Sequence, residues 1–171
     1  MIEAIIFDMD GLLVDSEPLW QRARIEAFGA ERLQWTTADQ EQVMGTSAEA
    51  WANYLAQKLD HEFTPDVIID RVVSQMEVYY DESIPFLPGA QAIIKLLSQH
   101  YPLGLASGSP YRLVNAVLDN AGLRDYFGEV LSADEMTEGK PAPDIYLEIT
   151  RRMQVAVEKV AIFEDSGNGI L

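Results

Sequence analysis

The sequence predicts an α/β fold whose parallel sheet is interrupted, after its first strand, by an all-helical insertion. Three observations predict this. Short apolar runs at Ile2 to Phe7, Leu103 to Ala106, Val130 to Leu131 with their neighbours, and Val160 to Phe163 read as strands. The first and last are nearly continuous, as strands buried on both faces tend to be. Helical patterns separate the last three runs, and such alternation builds parallel sheets through right-handed crossovers. Residues 16–85, by contrast, contain no convincing strand.

Each helical element has its own signal. Within the insertion, Trp20, Ala23 and Ala27 share one helical face, and Trp51, Tyr54 and Leu55 share another. Thr64-Pro65 opens a long segment carrying Val67, Ile68, Val72, Met76 and Tyr79. Pro88-Gly89 opens a helix with Ile93, Leu96 and Leu97 on one face. Ser109-Pro110 reads as an N-cap and first-turn proline, with Leu113, Val117 and Ala121 in register and Gly122 closing the helix. Pro143 opens another, with Ile145, Ile149 and Met153 spaced by four. The boundaries that follow are 1–15 with 86–171 for an α/β core, and 16–85 for the helical unit. Gly169-Ile170-Leu171 reads as the start of a helix. A four-stranded sheet ending there leaves one face poorly covered, so the natural chain is expected to continue past Leu171.

Composition narrows the chemistry. Twelve basic residues against 28 acidic ones give a net charge of −16 over 171 residues. Such a surface repels phosphate backbones and anionic bilayers, so neither nucleic acid nor membrane is an expected partner. There are no cysteines, and only His61 and His100 carry imidazole. Both histidines lie far from every motif and are expected on the surface. Thiolate and multi-histidine metal sites are therefore excluded, and any metal must be held by oxygens, as Mg²⁺ is. The N-terminus has no basic region before an apolar one, and no apolar run reaches the roughly 20 residues of a membrane helix. The expected setting is the cytoplasm, as a monomer or small homo-oligomer.

In open α/β sheets, ligands sit beyond the carboxyl ends of the strands. After the first predicted strand come Asp8 and Asp10; after the second, Ser107, Gly108 and Ser109; after the third, Lys140; after the fourth, Glu164 and Asp165. Carboxylates gathered at one edge repel one another unless a cation sits among them, which implies Mg²⁺. A phosphate dianion resists attack by a carboxylate for the same reason, and a metal relieves that repulsion. Ser107 and the amides of Gly108 and Ser109 would form an anion site at a helix N-terminus. Ser109 alone reads more readily as a helix cap. Lys140 can balance nucleophile and phosphate, and Asp10 can serve as acid and then as base toward water.

The segments Phe7-Asp8-Met9-Asp10-Gly11-Leu12-Leu13-Val14-Asp15-Ser16-Glu17, Leu105-Ala106-Ser107-Gly108-Ser109, Gly139-Lys140-Pro141 and Glu164-Asp165-Ser166 resemble the haloacid dehalogenase superfamily, in its phosphatase and β-phosphoglucomutase-like branch. The resemblance implies a Rossmann-like core with a helical cap, Asp8 as nucleophile and Asp10 as general acid/base. It implies Mg²⁺ held by the Asp8 carboxylate, the Asp10 carbonyl and Asp165, with Glu164 close by. Ser107, Gly108 and Lys140 would bind the phosphoryl group. The dehalogenases of that superfamily lack the second aspartate, which is present here as Asp10.

The cap should decide the substrate. Glu17, Trp20, Gly45, Thr46 and Ser47 are candidates to face the site, with Ser47 equally readable as an N-cap. Trp20 and Trp51 read as cap core, and Lys58 as a surface residue. Mutase relatives follow Gly45-Thr46-Ser47 with arginine, where this chain has Ala48-Glu49. Arg71 and Lys58 are the possible substitutes for that cation. The expected function is Mg²⁺-dependent hydrolysis of a small phosphorylated metabolite, a sugar phosphate above others, through an aspartyl-phosphate. The alternatives are a β-phosphoglucomutase-like mutase and, from another class, a phospho-acceptor signalling domain.

Overall fold

The structure is a computed structural model that describes residues 1–44 and 46–170, with Asn168 by its backbone alone. Strands β1 (Ala4–Phe7), β2 (Leu103–Ser107), β3 (Phe127–Ser132) and β4 (Val160–Phe163) form one sheet in the order β3-β2-β1-β4. Every pairing is parallel. Between β1 and β2 lie α1 (Glu17–Phe28), α2 (Ala30–Leu33), α3 (Thr37–Val43), α4 (Ala48–Lys58), α5 (Pro65–Glu82) and α6 (Ala90–Leu97). The crossover β2–β3 carries α7 (Tyr111–Asn120), β3–β4 carries α8 (Asp144–Arg152), and a helical turn, α9 (Gly167–Ile170), follows β4. The expected α/β class with a helical insertion is the fold observed.

Strand periodicity sorts the core into two faces. Ile5 and Phe7 of β1 point into a cluster that continues through Met9, Leu13 and Trp20 into the helical insertion. Ile6 points the other way, onto Ala106, Leu131, Ile145 and Ile149 under α8. One apolar mass therefore joins sheet and insertion. Chain entry and exit are also tied together: Val14 and Phe86 form an antiparallel bridge, and the Asp15 amide donates to the Pro85 carbonyl at 2.9 Å.

Several expectations need correction. β3 runs beyond its apolar pair, because Gly128 is exposed and Glu129 and Val130 are only partly buried, which leaves no clean pattern. β4 is not buried on both faces: Ile162 and Phe163 are 45% and 44% exposed, since β4 pairs only with β1 and α8 covers β2 and β3 instead. In α6 the face chosen is Ala90 and Ile94, while Ile93 and Leu96 are exposed. Gln91 and Lys95 give that helix a polar side, but docking turns the Ala90–Ile94 row to the core rather than the row directly opposite the polar pair. The Ser109-Pro110 cap is displaced by one residue, with Pro110 as N-cap and Tyr111 as first helical residue. The closing glycine behaves as expected: Gly122 has φ +62°, and the Leu123 amide reaches back to the Leu118 carbonyl at 2.8 Å. α2 and α3 carried no recognised signal. Leu171 and Gly45 lie outside the described residues.

Lys58 is not a free surface lysine. Its ammonium lies 2.8 Å from Asp39, which also caps α3 through Thr36 and accepts from the Tyr54 hydroxyl at 2.5 Å. Burial pushes the Asp39 carboxyl up, but the hydrogen bonds from Lys58, Thr36 and Tyr54 together outweigh it and hold it well below its ordinary value. A carboxyl depressed on folding stabilises the protein above its unfolded pKa, and that contribution fades as pH falls through the folded one. Asp39→Asn should thus lower stability by about 2 kcal/mol near neutrality. In thermal melts the gap between wild type and variant should close as pH drops below about 4; a gap that stays constant to pH 3 would contradict this.

Candidate active site

Parallel register builds the site. Phe7 of β1 pairs with Phe163 of β4, and the Asp8 amide donates to the Phe163 carbonyl at 2.9 Å. The residues after each strand, Asp8 on one side and Glu164-Asp165 on the other, are thereby brought together. One carboxylate oxygen from each of the three lies within 4.8 Å of the others. On the opposite side, Ser107 ends β2 beside Ser132 of β3. These ends open on a cavity of about 540 Å³, roofed by α1, α4 and the loop before α4.

Lys140, from the β3–α8 loop, is the cation of this edge. Its Nζ lies 2.8 Å from Asp8 Oδ1 and 2.7 Å from Glu164 Oε2, and 4.9 Å from the centre of the Tyr146 ring. Glu164 also accepts from the Tyr146 hydroxyl and from the amide and hydroxyl of Ser166. With so many donors, Glu164 serves first as the anchor of Lys140, which leaves Asp8 and Asp165 with more unused lone pairs.

The charges follow from this arrangement. Burial above all pushes the Asp8 carboxyl up to about 7, with Lys140 opposing and Asp10 and Glu164 adding to the rise. Burial also pushes Glu164 up, but Lys140, Ser166 and Tyr146 outweigh it and hold it at about 2. Burial disfavours the Lys140 ammonium, yet Asp8, Tyr146 and Glu164 hold its pKa above the usual lysine value. Asp165 is raised, mainly by burial.

Asp10 is held apart from this group. Its Oδ2 accepts from the hydroxyls of Ser109 at 2.7 Å and Ser107 at 3.2 Å, and its Oδ1 faces Trp20 Nε1 at 3.5 Å. Ser107 is completely buried, and its hydroxyl also accepts from the Ser109 amide at 3.0 Å. The anion site expected at the α7 N-terminus is therefore reduced: the Ser109 amide is taken by Ser107, and the first helical amide, that of Tyr111, by Asp134 at 2.8 Å. Gly108 lines the cavity, and Ser107 lies beneath it.

Of the cap candidates, Glu17, Thr46 and Ser47 all line the cavity. The Thr46 hydroxyl donates to the Val43 carbonyl at 2.8 Å, and Ser47 caps α4 by accepting from the Ala50 amide at 3.3 Å. Trp20 and Trp51 are buried, as read from sequence, and they also wall the cavity. Arg71 stacks on Phe63 at 4.4 Å and Lys58 is held by Asp39, so neither substitutes for a cap cation at the site. His61 and His100 are exposed.

The sequence reading missed Ser109 as a partner of Asp10, Tyr146 as a partner of Glu164, and Arg24. A signal existed for Ser109, since it follows the same strand as Ser107. None existed for Tyr146 or Arg24, whose reach depends on how α8 and α1 are docked.

The donor set suits Mg²⁺: every candidate ligand is a hard oxygen, three are gathered within reach of one ion, and glycines crowd them. A Cβ built on Gly11, at φ +77°, would strike the Asp165 carboxylate, and one on Gly169 would strike Glu164. Gly11→Ala should cost about 2 kcal/mol from the left-handed backbone alone. It should also weaken Mg²⁺ binding in calorimetric titrations by displacing Asp165; unchanged stability and affinity would contradict the close approach.

Residues 2–171 match the family of haloacid dehalogenase-like hydrolases. The chain belongs to that family. Hexitol phosphatase B of Escherichia coli strain K12 is 31% identical over 173 residues, covering 99% of this chain and 78% of that protein. The crystal structure of CbbY from Rhodobacter sphaeroides in complex with phosphate superposes with a TM-score of 0.85 at 28% identity, covering 99% of this chain and 80% of that one. The β-phosphoglucomutase of Clostridium difficile superposes with a TM-score of 0.82 at 25% identity, covering 99% and 79%. As a haloacid dehalogenase-like hydrolase, the chain has the fold and the strand-end motifs on which its sequence reading rested. Among the described residues, no helix is long and apolar enough to cross a membrane.

Proposed function

We propose that this hydrolase is a phosphatase of small phosphorylated metabolites, sugar phosphates above others, working through an aspartyl-phosphate on Asp8. The enzyme class is phosphoric monoester hydrolase. The observation that carries the reading is the gathering of Asp8, Lys140, Glu164 and Asp165 at one cavity floor, with Asp10 on separate supports beside them.

Asp8 sits at the buried end of β1 with Oδ1 held by Lys140, which fixes the carboxylate and leaves its other oxygen to attack phosphorus. Lys140, balanced between Asp8 and Glu164, offers positive charge to the transferring group. Asp10, held by Ser107, Ser109 and Trp20, protonates the leaving oxygen and then accepts a proton from the attacking water. Asp8, Asp165, Glu164 and the Asp10 carbonyl would hold Mg²⁺, which when bound neutralises charge on nucleophile and phosphate. The helical unit of residues 16–85 acts as the cap over a core of 1–15 and 86–171, in a cytoplasmic protein that is monomeric or a small homo-oligomer.

The mutase alternative has a relative in its favour, but a mutase must grip a second phosphate at the cap. The position that follows Ser47 is Ala48, and Glu49 beside it repels phosphate. A signalling receiver is disfavoured by the cap. The test is phosphate release from a panel of sugar phosphates, phosphoglycolate and nucleotides with Mg²⁺. Turnover of sugar phosphates is expected. Isomerisation of β-glucose 1-phosphate with catalytic bisphosphate and little phosphate release would overturn the reading.

A further inference from the structure

Arg24 is the feature of the cavity that the proposed chemistry leaves unused. It stands on α1, one turn beyond Trp20, and is 3% exposed. Its guanidinium carbon lies 5.6 Å from the ring centres of both Trp20 and Trp51, yet the residue lines the cavity. Burying a guanidinium is costly unless its donors are matched. Here they are not: Nε has no hydrogen-bond partner, and the nearest carboxylate, Glu17, is 3.5 Å from Nη1. Glu17 accepts also from Gln40 and is itself the more exposed member of the pair. Apart from Lys140 on the floor, Arg24 is the cation lining this cavity among the described residues.

We infer that Arg24 is a specificity-determining residue that, with Glu17, reads adjacent hydroxyls on the carbon chain of a phosphomonoester. An arginine donor and a carboxylate acceptor side by side match a vicinal diol, which offers an acceptor oxygen and a donor hydroxyl at the same spacing. The pair is neutral overall, and so suits an uncharged polyol. A second phosphate or a carboxylate would meet Glu17 and, further in, Asp10. Trp20 and Trp51 supply apolar walls against which the C–H face of a sugar can lie. The inference deepens the phosphatase reading and rests on it only for the kinetic arm of its test.

The kinetic arm compares a hexitol phosphate with p-nitrophenyl phosphate, which has no hydroxyls to read. Arg24→Gln should lower kcat/KM for the hexitol phosphate about 10- to 100-fold, mostly through KM, and change the aryl phosphate less than about threefold. Arg24→Lys, which keeps the charge but not the fork, should fall between. The binding arm uses the Asp8→Asn protein with Mg²⁺ and follows tryptophan fluorescence on titration with hexitol phosphate or phenyl phosphate. Tighter binding of the hexitol phosphate, lost on adding Arg24→Gln, is expected whether or not the wild type turns it over. Absent turnover with retained discrimination would sink the phosphatase reading and leave Arg24's role standing. Equal losses on both ligands would reduce Arg24 to a structural residue and overturn the inference. A preference for phosphoglycolate or a sugar bisphosphate that vanishes in Arg24→Gln would overturn it too, in favour of an anion site.

Discussion

Asp8→Asn should abolish turnover, lowering kcat by at least about 10⁴-fold, with no phosphorylated protein detectable at any time. The effect is large because an amide cannot form the acyl phosphate and the neighbouring carboxylates have other roles, Asp165 as an expected Mg²⁺ ligand. Asp10 is held by Ser107, Ser109 and Trp20; Glu164 is occupied by Lys140, Tyr146 and Ser166. The variant should nevertheless stay folded. Asp8 is buried and its carboxyl is pushed up to about 7, so the ionised form is no asset to stability, and an amide fills the same volume. Asp10→Asn makes the contrast: it keeps the nucleophile, so an activated aryl phosphate should still phosphorylate Asp8 slowly while poor leaving groups fail. Identical behaviour of the two variants toward the aryl ester would leave the division of roles unsupported.

Removal of divalent metal should lower activity by about 10³-fold or more, and added Mg²⁺ should restore it. Carboxylate oxygens of Asp8, Glu164 and Asp165 lie within 4.8 Å of one another, and Lys140 cannot balance three charges. Without a cation the edge is net negative and repels the phosphate it must bind. Ca²⁺ should inhibit, because its larger and looser oxygen shell misplaces the nucleophile. Full activity in chelator would remove the metal from the account.

Much of this was legible in the sequence because strand ends are local. Each of the motifs around Asp8, Ser107, Lys140 and Glu164-Asp165 follows a short apolar run; parallel pairing carries Asp8, Ser107 and Glu164-Asp165 to one edge, and the β3–α8 loop brings Lys140 back to it. What escaped depends on docking rather than on local pattern. Periodicity marked α1 as a helix with Trp20 inside, but not that Arg24 would be buried against Trp20 and Trp51. It marked Ile145 and Ile149 on α8, but Tyr146 reaches Glu164 only because α8 packs across the sheet as it does. The Ser109 hydroxyl was free for Asp10 because the helix began one residue later than a serine cap would require.

The most direct test of the central claim is to trap the covalent intermediate. The protein is mixed with Mg²⁺ and radiolabelled substrate, quenched in acid within the first turnover, and mapped by peptide. Label on the peptide bearing Asp8, released by hydroxylamine as an acyl phosphate is and absent in chelator, is the result predicted. Turnover that proceeds with no labelled protein at any time, or with label on a peptide lacking Asp8, would contradict it.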